Sequence, residues 1–285
     1  TAGSFGFYSA KAEMSDTIDE KSAYRANVSY STEDGYREHT SYDRVEANLR
    51  YDYKYNDENI LKTIFNYTKT DAEQADSFSD YSYITDASKK ASDKASFYTA
   101  LNNTDIRREF DFARLSVDWA NYSNDNLEIV LTPYIRFNEN KYVATWEKNL
   151  PSNDTKIYTF GFLQRNTLDT NYGEVIFGFD TEYTDSSLVY NQDFTTTASG
   201  KTYPKGPIYD YDVVYTAIAP YINNKWEITD KLDFDLGVRF DYNKFDYKNN
   251  LSSGVDASGV YYRPNDKEDS FTHFSPKASL TYKLD

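Results

Sequence analysis

The feature that most constrains this sequence is a strict alternation of apolar and charged residues over long segments. From Val45 to Tyr55 every second residue is apolar or aromatic, and the residues between them are mostly charged. The segment 232–243 repeats the pattern, and 127–137 and 174–183 follow it with one exception each. A period of two puts the two sets on opposite faces of a strand, whereas a helix would scatter them around its circumference. The sequence therefore predicts strands with one apolar and one charged face.

Segments of this kind follow one another along the whole chain. They lie at residues 5–14, 22–31, 42–55, 60–70, 106–121, 127–138, 156–166, 172–184, 209–222, 231–247 and 272–284. The connections alternate between short, such as 223–229, and long, such as the acid-rich 71–104. In 106–121 the apolar parity changes after Phe112, which predicts a bulge or an upper part that stands clear of lipid. The pattern does not decide which face of 156–166 is outside.

Composition excludes several classes of protein. The chain has 285 residues, no cysteine, and 31 basic against 46 acidic side chains, a net charge of −15. Without cysteine there is no disulfide framework and no thiol nucleophile. The acidity argues against nucleic acid as a partner, because such binding depends on Lys and Arg at phosphates. No segment contains the roughly 18 apolar residues of a transmembrane helix, and the first residues do not have the composition of a signal peptide.

Three features favour a membrane barrel over a soluble β-sandwich. Each alternating run has the roughly 9–11 residues that a tilted strand needs to cross a bilayer. The charged faces are too costly to bury in a dry core, whereas a wet lumen accepts them. Aromatic residues at strand ends predict an interfacial girdle: Tyr51, Tyr53, Tyr55, Trp119, Tyr122, Tyr242 and Tyr247. The predicted fold is all-β, an antiparallel up-and-down transmembrane β-barrel.

Four segments resemble the barrel of TonB-dependent outer-membrane receptors. They are Gly3-Ser4-Phe5-Gly6, the loop 31–41 with Gly35-Tyr36-Arg37, the stretch 221–242 and the strand 274–282. The resemblance implies a 22-strand barrel filled by a plug. On this alignment, residues 1–285 are the N-terminal half of the barrel and supply about eleven strands as an open half-barrel. The plug domain and the C-terminal strands are then expected to be absent from this chain.

The resemblance also implies a function, the energised uptake of a scarce ligand, most often a ferric siderophore or similar iron chelate. It implies the outer membrane of a Gram-negative bacterium as the location, with lipid and lipopolysaccharide around the barrel. The TonB complex would act through the missing plug. No catalytic role and no cofactor are implied.

Two sets of residues are the candidates for these roles. Loop residues that can stack on a chelate or hydrogen-bond to it are Tyr36, Arg37, His39, Tyr142, Trp146, Lys148, Tyr190, Lys201 and Tyr203. Lumen residues expected to meet the plug and water are Arg25, Arg44, Glu46, Arg50, Asp52, Arg114, Asp118, Arg136, Arg239 and Asp241.

Other hypotheses stay open at this stage. A small autonomous porin would need a hydrogen-bonded ladder between 5–14 and 272–284 to close the barrel. An outer-membrane hydrolase would use a histidine as acid or base, but His39 and His273 both lie outside any recognisable nucleophile motif. Acidic loops can hold Ca²⁺. Since no EF-hand spacing is present, the sequence predicts no metal site.

Overall fold

The computed structural model describes residues 1–75, 88 and 105–284, and all its regular elements are β-strands. In chain order they are β1 (Tyr8–Thr17), β2 (Ser22–Glu33), β3 (Tyr42–Asn56), β4 (Asn59–Glu73), β5 (Arg107–Asn124), β6 (Leu127–Val143), β7 (Ser152–Thr170), β8 (Gly173–Gln192), β9 (Thr196–Ala198), β10 (Lys201–Tyr203), β11 (Gly206–Thr229), β12 (Leu232–Asn249), β13 (Gly254–Val255), β14 (Tyr262–Arg263) and β15 (Lys267–Tyr282). Of the predicted loop 71–104, residues 76–87 and 89–104 lie outside the described part of the chain.

The long strands form one antiparallel sheet of eleven strands in the order β1-β2-β3-β4-β5-β6-β7-β8-β11-β12-β15. Each long strand pairs with the long strand that precedes or follows it in the chain. The hairpins β9–β10 and β13–β14 lie within two of the long connections. In the described part of the chain no ladder joins β1 to β15, so the sheet is not closed. The predicted all-β antiparallel meander is confirmed.

One face of this sheet is apolar and exposed. A row of neighbouring side chains crosses six adjacent strands: Leu49, Phe65, Leu115, Ile135, Phe160 and Tyr183. Ile135 and Phe160 are each 55% exposed. A continuous apolar surface of this extent is unfavourable in water and suits contact with lipid. The same register answers the question left by 156–166, because Phe160 lies on this apolar face.

Among the described residues, none belongs to a helix long and apolar enough to cross a membrane.

The parity change near Phe112 has one of its two predicted explanations excluded. Strand β5 pairs with β4 in one register from Arg107 to Asn121, so there is no bulge, and Phe112 lies on the polar side beside Thr68. The predicted aromatic girdle is wrong at two residues. Tyr247 does not join the girdle, because it is five residues from Tyr242 in an unbroken ladder and so faces the opposite side. Tyr122 likewise lies on the polar side, where its hydroxyl donates to Glu128 at 3.3 Å.

The strands are also longer than the pattern predicts. Residues 223–229, expected to be a connection, continue β11, and the turn falls at Asp230–Lys231. At the other end, β8 runs to Gln192 instead of 184. The first strand begins at Tyr8 instead of residue 5, because Phe5 and Gly6 form a turn with φ of 56° and 71°. Strand pairing therefore continues beyond the apolar part of the sheet.

Candidate functional site

The charged residues expected to line a lumen share one face of the sheet, the polar face. Neighbouring strands place Arg25 beside Arg50 and Arg114 beside Arg136. The alternation along each strand and the register between strands put the whole set on this face: Arg25, Arg44, Glu46, Arg50, Asp52, Arg114, Asp118, Arg136, Arg239 and Asp241. That the polar face meets a plug stays a prediction.

Ion pairs join many of these charges within the face. They are Arg25–Glu13 at 2.7 Å, Arg44–Glu46 at 2.6 Å, Arg50–Asp52 at 2.8 Å, Arg239–Asp241 at 2.8 Å and Arg239–Asp180 at 2.5 Å. Partly exposed pairs of this kind contribute only about 0.2–1 kcal/mol each to stability. The pattern therefore indicates a wetted surface and not a dry core.

The middle of the polar face holds a denser network around Tyr134. Its hydroxyl donates to Glu182 at 2.5 Å, and Arg136 lies 3.5 Å from the same carboxylate. The guanidinium of Arg114 stands 4.7 Å from the centre of the Tyr134 ring. The ring lies over Gly161, where an added Cβ would come within 2.1 Å of it. Glycine is therefore required at this position by close packing.

At the outer end of the sheet, where the long connections lie, aromatic rings gather into what we call the aromatic cluster. It comprises Tyr142, Trp146, Tyr190, Tyr203, Tyr209 and Tyr261. Ring centres are 5.4 Å apart for Tyr142–Trp146, 6.2 Å for Tyr190–Tyr209, 5.8 Å for Tyr209–Tyr261 and 6.3 Å for Tyr203–Tyr261. One of these rings, Tyr190, also forms a small buried core with Ala144 and Ile208. Trp146, in contrast, is 70% exposed.

A single carboxylate joins the loops that carry these rings. Glu147, in the β6–β7 loop, accepts hydrogen bonds from the hydroxyl of Tyr190 on one oxygen and from that of Tyr261 on the other. Burial, followed by this hydrogen bond, raises the pKa of Tyr261 above its usual range. The Tyr261 hydroxyl therefore stays protonated and can serve as the donor to Glu147.

Buried amides complete the same network. Gln192 donates to the backbone carbonyls of Asn149 and Phe194, both at 2.9 Å. Asn149 in turn donates to the Gln192 side chain at 3.0 Å and to the Tyr261 hydroxyl at 2.9 Å. Because buried polar groups are costly unless they are paired, these contacts hold the loops in one arrangement. A surface organised in advance loses less entropy when it binds a ligand.

The loop that carries Tyr261 is shaped by Asp256. Its carboxylate accepts hydrogen bonds from the backbone N–H groups of Ser258, Val260 and Tyr261 at 3.0–3.2 Å. Burial disfavours the charged form, but the hydrogen bonds from Tyr261 and Ser258 outweigh it and lower the pKa of Asp256. Beyond this turn, Arg263 donates to the carbonyl of Ile208 at 2.7 Å and so fastens the loop to β11.

The structure divides the predicted ligand residues into two groups. Tyr142, Trp146, Tyr190 and Tyr203 lie in the aromatic cluster. The two lysines lie on the same loops: Lys148 donates to Ser199 at 3.3 Å, and Lys201 is exposed in the β9–β10 hairpin.

The second group, Tyr36, Arg37 and His39, lies in the β2–β3 loop, with β4 and β5 between it and the β6–β7 loop in the sheet. There Tyr36 packs edge-on against Phe5, with 5.4 Å between ring centres. The two groups therefore do not form one surface.

The sequence pattern does not reveal several residues of the aromatic cluster and of the network that supports it. Glu147, Asn149 and Gln192 are ordinary polar residues in the sequence, and only the contacts between distant loops give them a role. Tyr209 and Tyr261 are two among 29 tyrosines. The Tyr-Tyr-Arg sequence at 261–263, inside a long polar loop, was the one local signal available.

Comparison with known proteins identifies the family. The family model for TonB dependent receptor-like β-barrels matches residues 2–285, almost the whole chain. The chain belongs to the TonB-dependent receptor β-barrel family. Barrels of this family are outer-membrane proteins of Gram-negative bacteria, and they are receptors and transporters. No curated protein matches the chain.

Solved structures of TonB-dependent receptors share its fold. The ferric citrate transporter FecA, in the unliganded form, gives a TM-score of 0.76 at 14% identity, over 99% of this chain and 40% of FecA. The siderophore receptor PiuA from Acinetobacter baumannii gives 0.71 at 14% identity, over 99% of this chain and 46% of PiuA. The copper transporter OprC gives 0.68 at 9% identity, over 100% of this chain and 42% of OprC. The chain thus spans less than half of each of these receptors, and at such identities the likeness shows the fold alone.

Proposed function

We propose that the chain forms part of the wall of a TonB-energised receptor that takes up a ferric siderophore or a similar iron chelate. The observation that carries this proposal is the aromatic cluster, which three outer connections build at the end of a polar sheet face. Tyrosine and tryptophan offer flat apolar surfaces with a polar edge, which suits an aromatic or amide-rich chelator.

Positive charges near the cluster suit the negative charge of such a chelate. The guanidinium of Arg108 stands 5.8 Å from the centre of the Tyr142 ring. Lys148 and Lys201 extend from the β6–β7 loop and the β9–β10 hairpin and are exposed. Although the chain carries a net charge of −15, these three cations lie near the rings and would attract an anionic chelate. Steering of an anion depends on such a local field more than on total charge.

The rest of the transport apparatus is part of the same proposal. Residues 1–285 would be the N-terminal half of a barrel with about twice as many strands, and the plug and C-terminal strands would be supplied outside this chain. The arginines and carboxylates of the polar face would hydrogen-bond to the plug and to water in the lumen. The TonB complex would act on that plug.

The two surfaces of the sheet suit an asymmetric outer membrane. The apolar face would contact lipid tails. Above it, on the same side, Glu139 lies 3.2 Å from Lys141 and 3.4 Å from Lys156. A band of mixed charge at this height fits the headgroups of lipopolysaccharide, where phosphates meet cations. These two surfaces support a location in the outer membrane of a Gram-negative bacterium.

Ligand binding can be tested by the fluorescence of Trp146, because a bound ferric chelate quenches a nearby indole. The receptor that contains this chain would be titrated in detergent with ferric citrate, a ferric catecholate and a ferric hydroxamate, and with Cu²⁺ as the alternative cargo. We expect one ferric chelate to bind saturably. Trp146→Phe should remove most of the quenching, and Tyr203→Ala should weaken binding by at least about tenfold, as for a stacked ring at a binding centre.

Tyr172→Ala is the matched control, because Tyr172 is also highly exposed but lies in the short β7–β8 turn at the opposite end of the sheet. Its substitution should leave the affinity unchanged. If no ferric chelate binds, or if Tyr172→Ala weakens binding as much as Tyr203→Ala, the proposed ligand site is wrong. Uptake of radiolabelled iron that is equal in cells with and without TonB would contradict the energised mechanism.

Neither alternative function gains an observation in its favour. A small autonomous porin requires the first and last strands to pair, and within the described residues β1 and β15 are edge strands of an open sheet. A serine hydrolase would need a serine hydroxyl that donates to a histidine ring. Ser41 lies two residues from His39, but its hydroxyl donates to Glu73 at 2.8 Å.

A further inference from the structure

We infer that His39, Glu73 and Asp105 form a binding site for one divalent transition-metal ion, separate from the aromatic cluster. The three residues come from different segments at the outer end of the sheet. His39 lies in the β2–β3 loop, Glu73 is the last residue of β4, and Asp105 stands two residues before β5. The pairing of β4 with β5 brings the two carboxylates to the same place.

The distances fit coordination of one ion. His39 Nδ1 lies 3.2 Å from Glu73 Oε1, and His39 Nε2 lies 3.8 Å from Asp105 Oδ1. One nitrogen or oxygen from each residue lies within 4.8 Å of the corresponding atoms of the other two. Ligand atoms on a common ion with bonds of about 2.0–2.2 Å are separated by about 3–4 Å, so small side-chain movements suffice.

An independent observation points to a ligand at the imidazole. His39 Nε2 is buried and has no hydrogen-bond partner among the residues that the structure describes, and the side chain as a whole is only 16% exposed. Such an atom is costly to bury unless something pairs with it. With Glu73 accepting from Nδ1–H, the lone pair of Nε2 is available to a metal ion. A carboxylate behind a ligating histidine is the usual support of a metal site.

The surroundings hold both carboxylates in place and leave an excess of negative charge. Ser41 Oγ donates to Glu73 Oε2 at 2.8 Å, and Arg107 donates to Asp105 Oδ2 at 2.8 Å. Arg107 also pairs with Asp71 at 2.9 Å. Among the described residues in these contacts, the carboxylates of Glu73, Asp105 and Asp71 against the guanidinium of Arg107 leave two negative charges (3 − 1 = 2), which a divalent cation would neutralise.

The donor set selects the class of ion. Imidazole favours zinc, copper, nickel and iron, whereas Ca²⁺ requires six to eight oxygen ligands. With His39 Nε2 and Asp105 as ligands and Glu73 as the carboxylate behind the imidazole, the site suits a zinc-like ion that keeps water in its remaining positions. Occupation would fasten the β2–β3 loop to the β4–β5 edge. No sequence motif indicates this site, because its three residues lie 34 and 32 positions apart (73 − 39 and 105 − 73).

The test is calorimetric titration of the purified receptor, with no histidine tag and after treatment with a chelator, with Zn²⁺ and separately with Ca²⁺. We expect one saturable Zn²⁺ site that 1 mM-scale Ca²⁺ does not occupy. His39→Asn, Glu73→Gln and Asp105→Asn should each weaken Zn²⁺ binding by about 10–100-fold, the range seen when a metal ligand or its support is lost. Co²⁺ should give a visible absorption band that His39→Asn abolishes.

His273→Asn is the matched control, because His273 is the other histidine of the chain and pairs with Asp241 in the middle of β15. It should bind Zn²⁺ like the wild type. Unchanged Zn²⁺ binding in His39→Asn, equal displacement by Ca²⁺, or no saturable binding in the folded wild type would each overturn the inference. Folding of every variant is checked by resistance of the barrel to unheated SDS. Since the readout is metal alone, its outcome is independent of ferric chelate binding at the aromatic cluster.

Discussion

The hydroxyl of Tyr261 donates a 2.5 Å hydrogen bond to Glu147 Oε2, across 114 residues of sequence. Tyr190 donates to the other oxygen of the same carboxylate. One acidic side chain therefore joins the β6–β7 loop, the end of β8 and the β12–β15 connection. The aromatic cluster depends on this junction more than on any contact within a single loop.

Removing either partner should release the loop that carries Tyr261. Hydrogen bonds to a charged group are worth about 1.5–3 kcal/mol, so Glu147→Gln or Tyr261→Phe should favour local opening by about that amount. Limited proteolysis within 250–266 should become about tenfold faster or more, since 1.4 kcal/mol is a factor of ten in an equilibrium constant. The control is Tyr262→Phe, which alters the adjacent, exposed tyrosine. This variant should be cleaved at the wild-type rate. Equal rates in all three variants would contradict a role for Glu147.

The location of candidate residues on outer loops was predictable, but their grouping was not. The rhythm of short and long connections placed Trp146 and Tyr203 in outer connections. That they share a cluster follows from the hydrogen bonds of Glu147 and Gln192, which link loops across 43 residues or more. Periodicity carries no information on such contacts. His39 was a candidate from the same pattern, but it lies in the β2–β3 loop, and the strand order puts β4 and β5 between that loop and the β6–β7 loop of Trp146.

Close packing at Gly161 gives a second prediction. Gly161 does not have a positive φ, so alanine fits the backbone there, but its Cβ would collide with the ring of Tyr134 at 2.1 Å. Overpacking of this kind costs about 1–3 kcal/mol. Gly161→Ala should therefore lower the temperature at which the purified receptor loses its fold on unheated gels. In the background Tyr134→Ala the same substitution should have little further effect, because the clash is gone. An equal loss in both backgrounds would point to another cause.

The turn at Asp256 should respond to pH. The pKa of Asp256 is lowered in the folded loop from an ordinary value of 3.8. The ionised carboxylate therefore stabilises the folded loop, fully above pH 3.8 and less as the pH falls through the lowered pKa. Hydrogen-exchange protection of the amides of Ser258 and Tyr261, corrected for intrinsic rates, should be lost at acidic pH. Asp256→Asn should lose most of this pH dependence. Protection that is independent of pH in the wild type would contradict the role of this carboxylate.

Strand positions were predictable to the extent that lipid imposes a pattern. Where one face is apolar and exposed and the other is polar, as at Leu49 and Phe240, the alternation is regular and the strand is recognisable in the sequence. Beyond the apolar part the ladder continues without that requirement, so Asp185, Ser186 and Ser187 were expected to be a loop, although they pair within β8. Backbone groups form the hydrogen bonds of a strand whatever side chains they carry. A polar strand segment therefore has no sequence pattern that distinguishes it from a loop.

The same asymmetry between the faces predicts the effect of a misplaced charge. Ile135 lies on the apolar face and Ile157 on the polar face of adjacent strands, so Ile→Arg can be compared at both positions. On the lipid side an arginine costs about 2–4 kcal/mol near the bilayer midplane. On the polar side, Asn138 beside Ile157 has a buried side-chain oxygen with no partner in the described part of the chain, and an arginine can donate to it. We therefore expect Ile135→Arg to reduce the yield of folded receptor in outer membranes and its resistance to urea. Ile157→Arg should leave both nearly unchanged. If both substitutions destabilise the receptor equally, the apolar face is not the surface that meets lipid.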